Sequence, residues 1–119
     1  MASTKNLRTI ITAATSNTAG STTTGTVVDL TTRYGGFCTI KITNGSTGPT
    51  VAAQANVYTS GDNSNFKLMT TLVAPTTNSL VTEWAIDVPA AVMYFRVDVT
   101  GNTGQAVTCE AFLQELTTI

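Results

Sequence analysis

Histidine is absent from this chain of 119 residues, and charged side chains make up only 11% of it, with a formal net charge of −1. Without histidine, neither a Ser-His-Asp nor a Cys-His catalytic arrangement can be assembled. Charged residues usually make up about a quarter of a globular domain. Because charge helps to keep a free monomer soluble, the shortage favours a protein whose surface is partly covered by neighbouring molecules.

Clustered basic residues, long apolar runs and a secretory leader are also missing. The six basic residues are scattered and form no stripe of the kind that contacts nucleic-acid phosphates. No apolar run approaches the roughly 18 residues of a membrane span, and the N-terminal stretch has no apolar signal-peptide core. We therefore expect neither a nucleic-acid nor a membrane partner, and we expect synthesis in the cytoplasm.

The two cysteines, Cys38 and Cys109, each lie in an alternating apolar pattern that is typical of a strand. Such positions favour buried free thiols, and the cytosol disfavours a disulfide between them. Zinc is not expected, because two thiolates without imidazole do not complete its four-ligand shell. The interpretation is two buried free cysteines, with a disulfide as the alternative.

The carboxylates offer no catalytic pair at a suitable separation. Glu83 and Asp87 lie four residues apart on one predicted strand, which separates them by about 13–14 Å, whereas glycosidase carboxylates stand ~5–9.5 Å apart. Asp98 and Glu110 fall on predicted strands that could be neighbours. We interpret all four as ordinary solvated positions. No catalytic residue is assigned, and we predict that the protein is not an enzyme.

The loop at residues 60–65 carries oxygen donors around Asp62, as a calcium loop does. It has a single carboxylate, and it lacks the EF-hand spacing and a downstream bidentate glutamate, so we interpret it as a polar turn. The sequence Asn44-Gly45-Ser46 matches a glycosylation sequon but has no meaning without a secretory signal. No metal ligand and no cofactor-binding residue is assigned, and no cofactor is expected.

Period-two alternation recurs along the chain, and helical periodicity is nearly absent. Threonine, valine and isoleucine dominate, and such β-branched side chains fit a pleated, half-buried surface. Turn-forming residues separate the alternating segments at a spacing of about ten residues. The sequence predicts an all-β fold, an antiparallel β-sandwich or jelly roll of about eight strands. The predicted strands cover residues 7–12, 26–31, 37–43, 50–58, 66–73, 80–88, 92–100 and 105–116.

Two features predict how these strands are organised. Residues 13–25 are low in complexity and apolar only through alanine, so we divide the chain into an N-terminal strand and flexible arm at 1–25 and a β-sandwich domain at 26–119. The segments at 40–57 and 95–113 resemble each other, because each has a strand, a Gly-x-Thr-Gly turn and a strand of small residues. Two such hairpins are expected to form equivalent parts of two packed sheets.

Aromatic residues keep a carbohydrate-binding function open, because aromatic rings stack on sugars when they line one exposed face. Trp84 shares its predicted face with apolar Ile86 and Val88, which favours a place in the core or in an interface instead. The five candidates are Tyr34, Tyr58, Phe66, Trp84 and Tyr94.

Five segments, in the order DLTTRYGG, IKITNGSTGPT, SGDNSNF, PAAVMYFRV and GNTGQAVT, carry a resemblance to a known family. Over roughly residues 29–112, the chain resembles small virion structural proteins of tailed bacteriophages. The resemblance implies a small β-sandwich that decorates or cements a capsid, or that sits on the tail or neck. It implies no catalytic residues, and residues 1–25 lie outside it.

The leading hypothesis is a capsid decoration (cement) protein of the virion, made in the host cytoplasm. Its partners would be the major capsid protein or another virion protein and further copies of itself, as a homo-oligomer for which we expect a trimer. The arm is expected to order on binding or to add a strand to a neighbour's sheet. Deleting residues 2–22 should then abolish capsid binding and leave the domain folded. The alternatives are a tail, neck or fibre component and a carbohydrate- or host-surface-binding module.

Overall fold

The computed structural model describes residues 3–119, which form two antiparallel sheets packed face to face. The strands are β1 (Thr4–Asn17), β2 (Thr23–Thr24), β3 (Val28–Asp29), β4 (Gly36–Asn44), β5 (Gln54–Ser60), β6 (Lys67–Val73), β7 (Val81–Val88), β8 (Tyr94–Thr100) and β9 (Val107–Thr118). Sheet A has the order β1-β9-β4-β7, and sheet B has the order β2-β8-β5-β6 with β3 also paired to β8. The predicted all-β sandwich is confirmed.

The strands pair as one long ribbon that wraps on itself, which makes the fold a jelly roll. β1 pairs with β9, β2 and β3 with β8, β4 with β7, and β5 with β6, and every pair is antiparallel. Wrapping brings β9 beside β4 in sheet A and β8 beside β5 in sheet B. An eight-stranded double-sheet roll has this pairing. Nine strands result here because one of the eight is split into β2 and β3.

The split within the ribbon has a local cause. The N–H of Thr26 donates to the carbonyl of Ile10 in β1 at 2.9 Å, so the backbone at this point turns from sheet B towards sheet A. A Cβ on Gly25 would stand 2.1 Å from the carbonyl oxygen of Val97, so this close approach to β8 requires glycine. The strand predicted at residues 26–31 is therefore reduced to Val28–Asp29.

The core lies between the sheets, where alternate residues of the inner strands meet. Each fully buried large apolar side chain contributes roughly 1.5–3 kcal/mol of transfer free energy. On β4, β5, β8 and β9, the period-two pattern places every second side chain inward, as the sequence predicts. The inward side chains of these four strands are Cys38, Ile40, Ile42, Ala55, Val57, Phe95, Val97, Val99, Val107, Cys109, Ala111 and Leu113.

The two look-alike segments are arches between the sheets, so their prediction as hairpins was wrong. β4 and β5 lie in different sheets, and so do β8 and β9. The arches run side by side, where the N–H of Thr50 donates to the Thr103 carbonyl at 2.8 Å and the N–H of Thr103 donates to the Val51 carbonyl at 3.3 Å. A hairpin and an arch share the same local alternation and turn residues, and only the packing of sheet on sheet separates them.

The N-terminal segment belongs to the two sheets, which differs from the loop or flexible arm predicted at residues 13–25. β1 extends to Asn17, and Thr23–Thr24 pair with β8. Asn17 is buried, and its side-chain amide donates to Oδ1 of Asn102 at 2.6 Å and to the Ser21 carbonyl at 3.0 Å. The polar side chains that resembled an arm thus satisfy one another in a buried network. Met1 and Ala2 of the predicted arm lie outside the described residues.

Candidate interaction surface

The outer face of sheet A carries rows of side chains that cross all four strands. The register places Leu7 of β1, Gln114 of β9, Phe37 of β4 and Asp87 of β7 in one row. Because side chains alternate between the faces of a sheet, all four point away from the core. Residues far apart in the sequence therefore meet on one surface.

Two residues of this row and two neighbouring residues form an apolar patch. We call it the sheet A patch (Leu7, Tyr34, Phe37 and Leu116). Leu7 is 61% exposed, Tyr34 42% and Phe37 41%. Exposed aliphatic and aromatic side chains concentrated at one place mark an interaction surface. A shallow depression of about 540 Å³ opens there, lined by Lys5, Tyr34, Gly36, Phe37, Asp87, Val88, Pro89, Gln114 and Leu116.

A buried carboxylate, Glu115, lies at the inner side of the same end of sheet A. Its Oε2 is 3.2 Å from Nη1 of Arg8, and its Oε1 is 3.4 Å from Nε of Arg33. Nδ2 of Asn6 donates to Oε1 at 3.1 Å. Because an unpaired buried charge costs several kcal/mol, these partners are what allows Glu115 to be buried. The sequence interpretation missed it, although the inward run from 107 to 113 continues in steps of two to residue 115.

The four carboxylates interpreted as solvated have different environments. Asp98 is in sheet B and Glu110 in sheet A, so they are not on neighbouring strands. Asp98 is buried, against the prediction. The Nε of Arg96 at 3.0 Å and a backbone N–H that donates to the carboxylate at 3.1 Å offset the cost of burying its charge. Glu110 pairs with a lysine at 3.3 Å. Glu83 and Asp87 lie exposed on β7, and within residues 3–119 neither side chain makes an ion pair or hydrogen bond.

The Asp62 carboxylate is engaged by its own loop. Its Oδ1 accepts hydrogen bonds from the N–H groups of Asn65 and Ser64 at 2.8 and 2.9 Å, and from Oγ of Ser60 at 2.9 Å. Nδ2 of Asn65 donates to Oδ2 at 2.8 Å. These hydrogen bonds, those from Asn65 above all, hold the pKa of Asp62 well below its usual range. The loop is thus a polar turn built around one carboxylate, as expected.

Both cysteines are buried and free, which confirms the interpretation made from the sequence. Cys109 lies opposite Ile42 of β4, four residues along that strand from Cys38. The two are therefore about 13 Å apart along the sheet, too far for a disulfide. Burial raises the pKa of Cys38 to about 12 and that of Cys109 to about 11.

The aromatic residues do not form the single row that a sugar-stacking platform would need. Trp84 packs against the core, and Tyr34 lies in the sheet A patch. Tyr58 and Phe66 hold the guanidinium of Arg96, which lies 4.9 and 4.4 Å from their ring centroids. Their ring faces are thus occupied by a cation.

Residues 3–119 hold no group of three or more His, Cys, Asp or Glu side chains placed to share a metal ion. The same residues contain no helix long and apolar enough to cross a membrane.

Comparison with known proteins gives a likeness in fold. The chain matches no protein-family model and no curated protein. Among solved structures, it is similar to the SPBc2 prophage-derived protein YomS, with 18% identity and a TM-score of 0.54 over 96% of each chain. It is also similar to infectious bursal disease virus VP2 from a subviral particle, with 11% identity and a TM-score of 0.62 over 96% of this chain.

A third likeness is to Bacillus endospore appendages, described as disulfide-linked pili, with 10% identity, a TM-score of 0.58, and coverage of 100% of this chain and 93% of the other. This chain spans only 33% of the VP2 chain. At these identities the similarity concerns the fold alone. The resemblance to phage and viral structural proteins is thus confirmed at the level of the fold.

Proposed function

We propose that this chain is a non-enzymatic structural component of a bacteriophage particle that decorates the capsid surface as a homo-oligomer. The observation that carries the proposal is the sheet A patch, three of whose apolar side chains are 41–61% exposed on a rigid jelly roll. Such a surface is costly to leave in water and suits a protein that is covered in its working state. The fold shared with a prophage-derived protein over 96% of both chains supports the phage context.

In this proposal the sheet A patch binds the major capsid protein or another virion protein. The pleated sheet holds its apolar side chains in fixed positions, so little conformational freedom is lost on binding. Symmetry repeats the contact at every copy of a trimer or other homo-oligomer. Multivalency then raises modest affinity per site by a factor on the order of 10²–10⁴.

The test measures how well two single-residue variants bind to purified capsids that lack the protein. Phe37→Ser and Tyr34→Ser each remove exposed apolar surface from the patch, and we expect each to weaken binding about tenfold or more. Leu68→Ser is the matched control, because Leu68 is 56% exposed on β6 of the other sheet. Co-sedimentation with the capsids measures the bound fraction. Equal binding by all three variants would refute the patch as the attachment surface.

A tail, neck or fibre position is the alternative within the same particle, and the likeness to endospore appendages supports it. The copy number in a purified particle separates the two locations. Hundreds of copies support capsid decoration, and a handful of copies supports the tail or neck.

A carbohydrate- or host-surface-binding function is the second candidate, and the depression at the patch favours it. Tyr34 and Phe37 line it together with the carboxylate of Asp87 and the amide of Gln114. Its volume of about 540 Å³ falls within the range of small-molecule sites. A glycan array, followed by NMR titration of the sugars it identifies, tests this; shifts confined to the depression would favour glycan binding over capsid attachment.

A further inference from the structure

The unpaired edges of the two sheets differ in how well they are protected. Edge strands attract other strands, and proteins blunt them with bulges, lysines or short strands. β6 has a register shift and carries Lys67, and β2 and β3 have two residues each. β7 instead pairs with β4 in unbroken register over eight residues. Within residues 3–119, β7 is therefore the longest regular edge, and its protection consists of the exposed acidic side chains Glu83 and Asp87.

The opposite edge of sheet A, on β1, has a shorter regular stretch. Residues 5–9 pair with β9 without interruption, between irregularities at Thr4/Lys5 and Thr9/Ile11. Lys5 and Leu7 on this stretch are exposed and share the outer face with the patch. The two edges of sheet A thus carry opposite charge, with Lys5 on β1 and with Glu83 and Asp87 on β7.

These charges are uncommitted within the subunit. Five of the seven carboxylates are engaged: Asp29 and Asp62 accept hydrogen bonds in their own turns, and Asp98, Glu110 and Glu115 lie in ion pairs. The remaining two, Glu83 and Asp87, both lie on the outer face of β7. Lys5 likewise makes no ion pair within residues 3–119.

We propose that the β7 edge of one copy pairs with residues 5–9 of β1 in a second copy, so that sheet A continues from subunit to subunit. β1 is antiparallel to β9, β9 to β4, and β4 to β7, so β1 and β7 run in opposite directions. A copy displaced sideways without rotation therefore presents its β1 antiparallel to β7. The outer faces of sheet A in the two copies then lie on the same side of the continued sheet.

The backbone hydrogen-bonding pattern fits the same arrangement. Hydrogen-bonded and non-hydrogen-bonded pairs alternate along an antiparallel ladder and, in each row, from one strand to the next. The row from Leu7 to Asp87 crosses four strands. The N–H and C=O groups of its two end residues therefore point either both to the free edges of the sheet or both to the neighbouring strands. A stagger of two residues keeps this match, and it places Lys5 opposite Asp87 and Leu7 opposite Ala85.

Charge selects this pairing over a symmetric one. Pairing β7 with β7 of a second copy would bring Glu83 and Asp87 of both copies together, and like charges on adjoining strands are destabilising. Pairing β7 with β1 sets the Lys5 ammonium against the Asp87 carboxylate instead. Because the two contacting surfaces differ, the contact builds a filament when the copies are related by translation alone, and a ring when each copy is also rotated about a common axis. A ring of this kind supplies the homo-oligomer of the proposed function, on which the inference otherwise does not depend.

The test uses the whole chain in solution, without capsids. Lys5→Glu and Asp87→Lys should each lower the association constant about tenfold or more, as measured by sedimentation velocity over a dilution series. The double variant K5E/D87K should restore association by itself, because it again sets opposite charges across every contact. An equimolar mixture of K5E and D87K should associate as alternating copies, in which each contact also joins opposite charges. Ser46→Lys is the control, since Ser46 is exposed in the loop beyond Asn44, at the end of β4 away from Asp87.

A wild-type chain that stays monomeric at every concentration would overturn this inference, as would a charge swap that fails to restore association. Circular dichroism of each variant shows that the fold is intact. Failure here leaves capsid binding through Phe37 and Tyr34 to stand or fall on its own test. Loss of capsid binding with intact self-association would reject only the attachment surface.

Discussion

Glu115 lies where the alternating pattern of β9 calls for an apolar side chain, and partners distant in the sequence neutralise it. Arg8 comes from β1 and Arg33 from the turn before β4, so the cluster joins three segments at one end of the sandwich. A carboxylate held in this way favours one register of β1 on β9, because a shift by one residue would move Arg8 to the other face. We interpret the cluster as a structural device of this end of sheet A.

Glu115→Gln should lower the free energy of unfolding by roughly 2–3 kcal/mol, because it leaves two arginines beside a neutral amide. The value lies below the ~3–5 kcal/mol of a fully buried pair, since both arginine side chains are more than a third exposed and regain water. Urea denaturation measures the change. Glu110→Gln is the matched control, because it removes a surface pair with Lys41, and it should cost less than about 1 kcal/mol. Equal losses from both would contradict this account of Glu115.

The arch between β4 and β5 depends on a close approach that its turn residues made possible. A Cβ on Gly48 would stand 1.9 Å from the carbonyl oxygen of Thr76, in the connection between β6 and β7. The N–H of Gly48 also donates to Oδ1 of Asn78 at 2.7 Å. Glycine at this position therefore lets two connections pack against each other at the end of the sandwich.

Gly48→Ala should lower the free energy of unfolding by about 1–3 kcal/mol, because the new methyl group forces the two connections apart. Gly61→Ala is the matched control, since a Cβ at Gly61 meets nothing within 4 Å. Thermal unfolding followed by circular dichroism compares the two variants. A Gly48→Ala variant as stable as the Gly61→Ala variant would show that the β4–β5 and β6–β7 connections are free to separate.

The place of β1 within sheet A changes what a truncation should do to the protein. Ile10 and Ile11 are buried in the core, and Arg8 neutralises Glu115. Asn17 is buried as well, in its hydrogen-bonded network with Asn102. Removing β1 therefore exposes the backbone edge of β9 and the core that the two isoleucines cover, and it leaves a buried carboxylate without one of its partners. The earlier expectation, that deleting residues 2–22 leaves a folded domain, does not follow from this structure.

Deleting residues 2–22 should unfold the chain, because the lost core side chains at ~1.5–3 kcal/mol each and the lost strand together approach the 5–15 kcal/mol stability of a typical domain. Far-ultraviolet circular dichroism and thermal unfolding measure this. Two point variants provide the comparison: Ile11→Ala removes a buried side chain and should destabilise, and Leu7→Ala removes an exposed one and should not. A cooperative unfolding transition in the truncated chain would contradict the prediction.

Alternation and turn chemistry, which are local properties, were enough to predict the strands and the all-β class. The strand predicted at residues 37–43 is observed at Gly36–Asn44, and the buried cysteines follow from the same pattern. Local patterns do not reveal which strands share a sheet, because an arch and a hairpin have the same signature. Tertiary structure alone decided that residues 13–17 and 23–24 join the sheets, and that Leu7, Phe37 and Gln114 meet in one row. Those contacts join segments up to about a hundred residues apart, and their energy comes from packing and pairing that exist only once the ribbon has wrapped.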